Sequence, residues 1–170
     1  MTALLSSLAQ IALLRKDPGI LPASTAWVVV FTLGYAAVNF LMARIDASDR
    51  VLERTAFDLV LTLAFFWLVL AVTRRTHRFP QVINAVFGTY LVLAPLMIGL
   101  MLLRGPAKTH YGVWLLVATG TTVVVIWYLL AVGHVLRAAL DTGLVTGFAI
   151  SVTWAIVSIA LAQSWFGTAA

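Results

Sequence analysis

Five long stretches of this chain run almost free of charge, and they decide what it can fold into. They cover about 25–43, 56–73, 82–103, 111–136 and 142–166, bounded by Asp17-Pro18-Gly19, Arg44, Arg74-Arg75, Arg104-Gly105-Pro106 and Arg137. Each is roughly 18–26 residues long, and a helix rising about 1.5 Å per residue needs about 20 to cross a hydrocarbon layer ~30 Å thick. Among Asp, Glu, Lys, Arg and His, only Asp58 and His134 fall within these limits, each near an end. Barrel strands are about ten residues long and alternate in polarity, which these stretches do not. A backbone surrounded by lipid must satisfy its hydrogen bonds within itself, so the segments read as helices. The expected fold is an all-α membrane protein, a five-transmembrane-helix bundle forming one domain over residues 1–170.

Composition points the same way. Apolar residues make up 62% of the chain and charged ones 10%. Soluble domains carry about a quarter charged residues, so this chain lacks the polar groups to cover itself in water. The net charge is +5, with the basic residues scattered at segment ends. No basic patch alternates with aromatics, so a nucleic-acid partner is not expected, whereas anionic lipid headgroups suit such ends. The absence of cysteine excludes disulfides and thiolate metal sites.

The segment before the first span has a different pattern. Leu4, Leu5, Leu8, Ile11 and Ala12 follow helical spacing, with Ser6, Ser7 and Gln10 opposite. Residues 1–16 are expected to form a short amphipathic helix in the membrane interface, ended by Asp17-Pro18-Gly19. The alternative is an unstructured apolar terminus. Arg15 and Lys16 follow the apolar residues instead of preceding them, which argues against a cleavable signal peptide.

Several residues suit helix starts: Ser24 or Thr25 for the first span, Thr55 with Asp58 for the second, Thr109 for the fourth and Asp141 for the fifth. Orientation is nearly balanced by charge. A cytoplasmic N-terminus puts Arg15, Lys16, Arg74, Arg75, Arg78 and Arg137 inside, against Arg44, Arg50, Arg54, Arg104 and Lys108 outside. The dense run Arg74-Arg75-Thr76-His77-Arg78 favours a cytoplasmic N-terminus. Trp27, Trp114 and Trp165 lie near span ends, where interfacial aromatics belong.

Catalytic motifs are missing: the chain contains no HExxH, GxSxG, P-loop or dinucleotide glycine pattern. It is expected to be non-enzymatic and to use no cofactor. Asp58 stands out, because an acid inside a span is a functional candidate. Its competing reading is structural, as a helix cap with Thr55 or an ion pair with Arg54. His77, His110 and His134 read as interfacial polar residues. Asn39, Asn84 and Gln163 suit hydrogen bonds between helices, or with Asp58 an intramembrane polar site. Gly143, Gly147, Ser151 and Ala155 recur every four residues, a spacing that lets two helices approach closely. That face either packs within the bundle or meets a partner or second copy. Pro95 is expected to kink the third span.

The chain resembles the Yip1 family in its compact bacterial form. The likeness rests on Leu14-Arg15-Lys16-Asp17-Pro18 before the first span and on Arg78-Phe79-Pro80-Gln81-Val82-Ile83-Asn84-Ala85-Val86-Phe87-Gly88-Thr89-Tyr90 leading to Leu93-Ala94-Pro95-Leu96. It extends to Ile126-Trp127-Tyr128-Leu129-Leu130-Ala131-Val132-Gly133-His134. The resemblance implies a five-helix bundle with a cytoplasmic N-terminus, here in a bacterial inner membrane. The chain lacks the Asp-Leu-Tyr-Gly-Pro motif and long polar N-terminal region of eukaryotic relatives, so their GTPase partner is not carried over. The leading expectation is a non-enzymatic membrane-organising or assembly subunit, partnered by the lipid bilayer and by other membrane proteins or itself. A small transporter or channel using Asp58, Asn84 and the Pro95 kink is the alternative, and an accessory subunit of a larger membrane enzyme complex is a third.

Overall fold

The computed structural model describes residues 2–21, 24–46 and 50–167, with the side chains of these except 2–5 and 20. The helices are α1 (Thr2–Ala12), α2 (Thr25–Ile45), α3 (Val51–Val72), α4 (Phe79–Leu102), α5 (Arg104–Ala107), α6 (Tyr111–Leu140) and α7 (Leu144–Phe166), with short 3-10 turns at Pro18–Ile20 and Thr76–Arg78. No strand occurs among the described residues. Five helices are long and apolar enough to cross a membrane: α2, α3, α4 with its preceding turn, α6 and α7. The five-span expectation holds.

Helix α4 is the axis of the bundle. It packs on α2, α6, α1 and α3, while α7 closes against α6 and α3. Val82 to Thr89 are buried without interruption, as a helix that is apolar all round requires. Phe66, Leu70, Ile83, Phe87, Val132 and Leu136 form the fully buried core around it. The outward faces carry Leu33, Val60, Val72, Val145 and Ile156, all exposed. A soluble monomer rarely shows so much apolar surface, so lipid is the solvent that suits these faces.

Helix ends differ from the sequence reading. α3 begins at Val51, with Arg50 at the N-cap position and no side-chain cap bond. Arg50 pairs instead with Glu53 across the first turn. Thr55 and Asp58 therefore lie inside the helix, and their expected capping box is not formed. Charge marks the edge of the hydrocarbon but does not stop a helix, because long side chains carry their charges back to water. Ser24 occupies the N-cap of α2 without a side-chain bond. His110, not Thr109, precedes α6, and the Thr109 hydroxyl donates to the Pro106 carbonyl.

Asp141 was expected to start the last helix, and it ends α6 instead. It adopts a left-handed conformation (φ 49°, ψ 48°), which Asp tolerates better than most residues, and Thr142 N–H then donates to the Arg137 carbonyl. Its carboxylate pairs with Arg75 and, at 3.3 Å, with Arg78. The same guanidiniums donate to the Ala139 carbonyl (3.2 Å from Arg75) and the Ala138 carbonyl (2.9 Å from Arg78). Cations at a helix C-terminus satisfy its orphan carbonyls and its dipole, so the basic run clamps the end of α6. The Arg75 hydrogen bond, helped by Arg78, holds the Asp141 carboxyl below its ordinary range. A depressed folded value stabilises the fold above about pH 4, and that contribution disappears as pH falls through the depressed value. Asp141→Asn is expected to lower the thermal midpoint at neutral pH slightly and to flatten its decline below about pH 4, read by melting in detergent across pH.

The N-terminal segment is a helix, as expected. Of the residues proposed for its apolar face, the side chains of Leu4 and Leu5 lie outside the described residues. Leu8, Ile11 and Ala12 are fully buried, and what covers α1 is protein: α4 and, less extensively, α6. The Trp127 indole N–H donates to the Ala12 carbonyl (2.7 Å). His134 Nε2 lies 3.0 Å from the Lys16 carbonyl; a carbonyl only accepts, so Nε2 carries the proton. A Cβ at Gly88 would lie 2.4 Å from a Leu8 terminal methyl. Leu8 must turn away or α1 must shift to admit a methyl there, so Gly88→Ala is expected to loosen α1 while leaving the five long helices assembled. Limited proteolysis should then cut near Arg15–Lys16 several-fold faster, with little change in helicity.

The small-residue face of α7 is used inside the bundle. A Cβ at Gly147 would lie 2.2 Å from the Gly133 carbonyl oxygen of α6, and one at Gly133 would lie 2.8 Å from Phe148 Cα. The Ser151 hydroxyl lies 2.9 Å from the Leu129 carbonyl. Ala155 packs half-buried against the core. Gly143 stands apart as the N-cap of α7, with open space where its Cβ would be.

Candidate functional site

Three polar stripes in otherwise apolar helices converge at one end of the bundle. On α2 the positions Tyr35, Asn39, Met42 and Asp46 share a face by their three- and four-residue spacing, and on α3 so do Arg54, Asp58 and Thr62. On α7 the matching positions are Ser158, Ala162 and Phe166. Because α2, α4 and α7 finish at this end while α3 begins there, the outer residues of the stripes, from Asn39 on α2 and from Asp58 back to Arg54 on α3, bound a cleft of about 560 Å³. That size suits a small molecule. Its walls mix Met42, Phe57, Leu61 and Met101 with Asn39, Thr55, Ser158 and Gln163.

Asp58 forms the floor. It lies seven residues into α3, about 10 Å along the axis. The Tyr35 hydroxyl donates to its Oδ2 at 2.5 Å. Tyr35 is held by stacking on Phe87 (4.2 Å between ring centroids) and by Tyr90 at 4.6 Å. Asn39 donates to the Tyr35 carbonyl (3.0 Å) and accepts from the Tyr90 hydroxyl (3.1 Å). The Asn39 amide therefore ties α2 to α4 and fixes the tyrosine that addresses the acid. Rings continue inward through Tyr128, 5.6 Å from Tyr90, to Trp154, 6.0 Å further.

The expected ion pair between Arg54 and Asp58 is not formed among the described residues. The Arg54 guanidinium sits 5.4 Å from the centre of the Phe166 ring, which Arg50 approaches at 5.3 Å. A cation over an aromatic face gains part of what an anion would give it. Asp46 at the mouth pairs with Arg104 at 2.5 Å, tying the end of α2 to α5. Neither interaction neutralises Asp58.

Several buried polar atoms here have no hydrogen-bond partner among the described residues: Arg54 Nε, and the hydroxyls of Thr55 and Ser158. Deeper in the bundle the same holds for the Thr62 and Tyr128 hydroxyls and the Trp154 indole N–H. Each such group costs about 1–3 kcal/mol in desolvation, so a concentration of them is unusual in a core built only for stability.

Of the residues singled out in the sequence, the fold brings Asp58 and Asn39 together through Tyr35. Asn84 is buried in α4, six residues before Tyr90 and about 9 Å away along the axis, and does not line the cleft. Pro95 lies within helix α4, is exposed and is not among the residues lining the cleft. His134, read as an interfacial residue, is buried against the segment that follows α1, at the Lys16 carbonyl. His77 and His110 are exposed. No three His, Cys, Asp or Glu side chains gather as metal ligands among the described residues. Sequence reasoning missed Tyr35, Tyr90, Tyr128, Arg54 and Ser158 as a group. The only signal was the four-residue spacing of Tyr35 from Asn39 and of Arg54 from Asp58; Tyr90, Tyr128 and Ser158 have no polar residue at that spacing.

The fold and its apolar exterior define an α-helical integral membrane protein with five candidate spans. Comparison with protein-family models, with curated proteins and with solved structures finds no match to this chain.

Proposed function

We propose that this protein is a small transporter or channel whose solute is anchored at Asp58. One observation carries the reading: an acid two turns inside a span, contacted by a tyrosine hydroxyl and by no cation among the described residues, faces a cleft of small-molecule size. Acids within the membrane are expensive and typically mark ion, proton or solute pathways. The cleft opens at the end away from α1. That helix occupies the opposite half of the bundle, its Leu8 against Gly88 and its Ala12 carbonyl against Trp127. Access is therefore one-sided, and passage requires α1 or the ends around it to move. The test is solute, cation and proton flux in liposomes, wild type against Asp58→Asn. A loss of tenfold or more in the variant supports the reading, and no flux of any common ion or small solute in the wild type sinks it.

In this proposal the N-terminus is cytoplasmic, in a bacterial inner membrane, and the cleft faces outward. The run Arg74–Arg78 at the α1 end supports that orientation by the distribution of basic residues, as does the likeness to the Yip1 family. That likeness also supports a second reading, a non-enzymatic membrane-organising subunit. Its partner surface would have to be an outer apolar face, since the small residues of α7 pack on α6. Absent flux together with a stable partner under cross-linking in native membranes would favour the second reading.

A further inference from the structure

The walls of the cleft carry opposite charges one helical turn apart. Asp58 lies at the floor and Arg54 four residues nearer the mouth, both lining the same space, about 6 Å apart along α3. Residues at this spacing readily form an ion pair, yet Arg54 turns to the Phe166 ring and Asp58 to Tyr35. The two charges stay separate and both address the cavity. Beside them the buried Arg54 Nε and the Thr55 and Ser158 hydroxyls lack partners among the described residues. Arg54, Thr55 and Ser158 line the space, and a turn of these side chains towards it lets them donate to an anionic oxygen; Asp58 at the floor can receive a cation, while Asp46 at the mouth is held by Arg104. Met42, Leu61 and Met101 supply an apolar wall.

We infer that the cleft recognises a small amphiphilic zwitterion, its ammonium on Asp58 and its carboxylate on Arg54 with the Thr55 and Ser158 hydroxyls. This rests on reading the Asp58 cleft as a ligand site and names the ligand class. A ligand with both charges gives Arg54 and Asp58 each a partner of opposite sign. A ligand with one charge leaves its counterpart exposed to the low-dielectric wall, where an uncompensated charge is costly. The aliphatic part of the ligand lies against the methionines.

The test uses the full chain in lipid nanodiscs and three matched probes: L-leucine, isopentylamine (leucine without its carboxylate, protonated at neutral pH) and 4-methylpentanoate (leucine without its amine). Equilibrium binding is expected to favour leucine at least tenfold over either fragment. Arg54→Gln should reduce leucine to the level of isopentylamine and leave isopentylamine unchanged. Arg54→Lys, which keeps the charge, should retain most of the preference and guards against misfolding of the first variant. Isopentylamine binding as tightly as leucine overturns the zwitterion and leaves Asp58 a simple cation site. Tight binding of 4-methylpentanoate overturns it as well. Saturable binding of none of the three overturns both this inference and the solute-site reading beneath it.

Discussion

Gly147→Leu is expected to separate α7 from α6 and to give the largest loss of stability of any single change in a span. The Cβ alone would meet the Gly133 carbonyl oxygen at 2.2 Å and the Arg137 amide nitrogen at 2.9 Å. Both are backbone atoms on the facing helix, so no side-chain rotation can make room. Overpacking of this kind costs about 1–3 kcal/mol in cores that can adjust, and a collision with helix backbone falls at the upper end or above it. Moving α7 outward would also break the Ser151 contact with Leu129 and uncover Trp154. The measurement is thermal unfolding in mild detergent, with Gly143→Leu as control. Gly143 has open space at its Cβ and an extended backbone (φ −71°, ψ 157°), so its replacement should change stability by less than about 0.5 kcal/mol. Equal melting of the two variants would show that the face is not a packing seam. The same result would return it to the surface as a place for a partner.

Asp58→Asn is expected to raise stability and abolish flux together. Asparagine keeps an oxygen to accept the Tyr35 hydroxyl and removes the ionisable group. The acid lies within the bundle without a counter-ion among the described residues, and an unpaired charge in low dielectric is destabilising. Relief of that cost should add roughly 0.5–2 kcal/mol, the range typical of stabilising replacements at functional positions. Thermal melting and liposome flux on the same preparation decide the matter. A loss of stability with flux intact would make Asp58 a structural residue and remove the basis for the proposed solute site. Tyr35→Phe offers an independent check. It takes away the hydroxyl but keeps the ring against Phe87, so it should impair flux and lower stability by about 1–3 kcal/mol, the cost of leaving the carboxylate unbonded, opposite in sign to Asp58→Asn.

The two residues differ in how far the sequence reaches them. Asp58 could be singled out because an acid in an apolar run is conspicuous. Its partner could not, because Tyr35 lies 23 positions away and a tyrosine in a span looks like any other aromatic. The local alternatives, a cap with Thr55 or a pair with Arg54, were reasonable by spacing alone. They failed because α3 begins earlier than charge placement suggested and because the Phe166 ring attracts both nearby arginines. The glycine stripe of α7 was visible as a period of four, but only the position of Gly133 on α6 shows that the bundle itself uses it.

By itself the sequence determined the five spans, because length and freedom from charge are local properties that lipid tests directly. It also pointed to a helix with one apolar face over residues 1–16, of which 2–12 are helical. The tertiary structure decided what covers that face: α1 is seated on α4 and α6, where Gly88 leaves room for Leu8. It likewise decided that Asp141 closes α6 through Arg75 and Arg78, and that Asp58, Asn39 and Arg54 line one cleft with Tyr35 bonded to Asp58. Each of these depends on which helices become neighbours. In a bundle whose spans are all equally apolar, neighbours are chosen by shape and by a few polar contacts between distant positions, and a linear hydrophobic pattern carries neither.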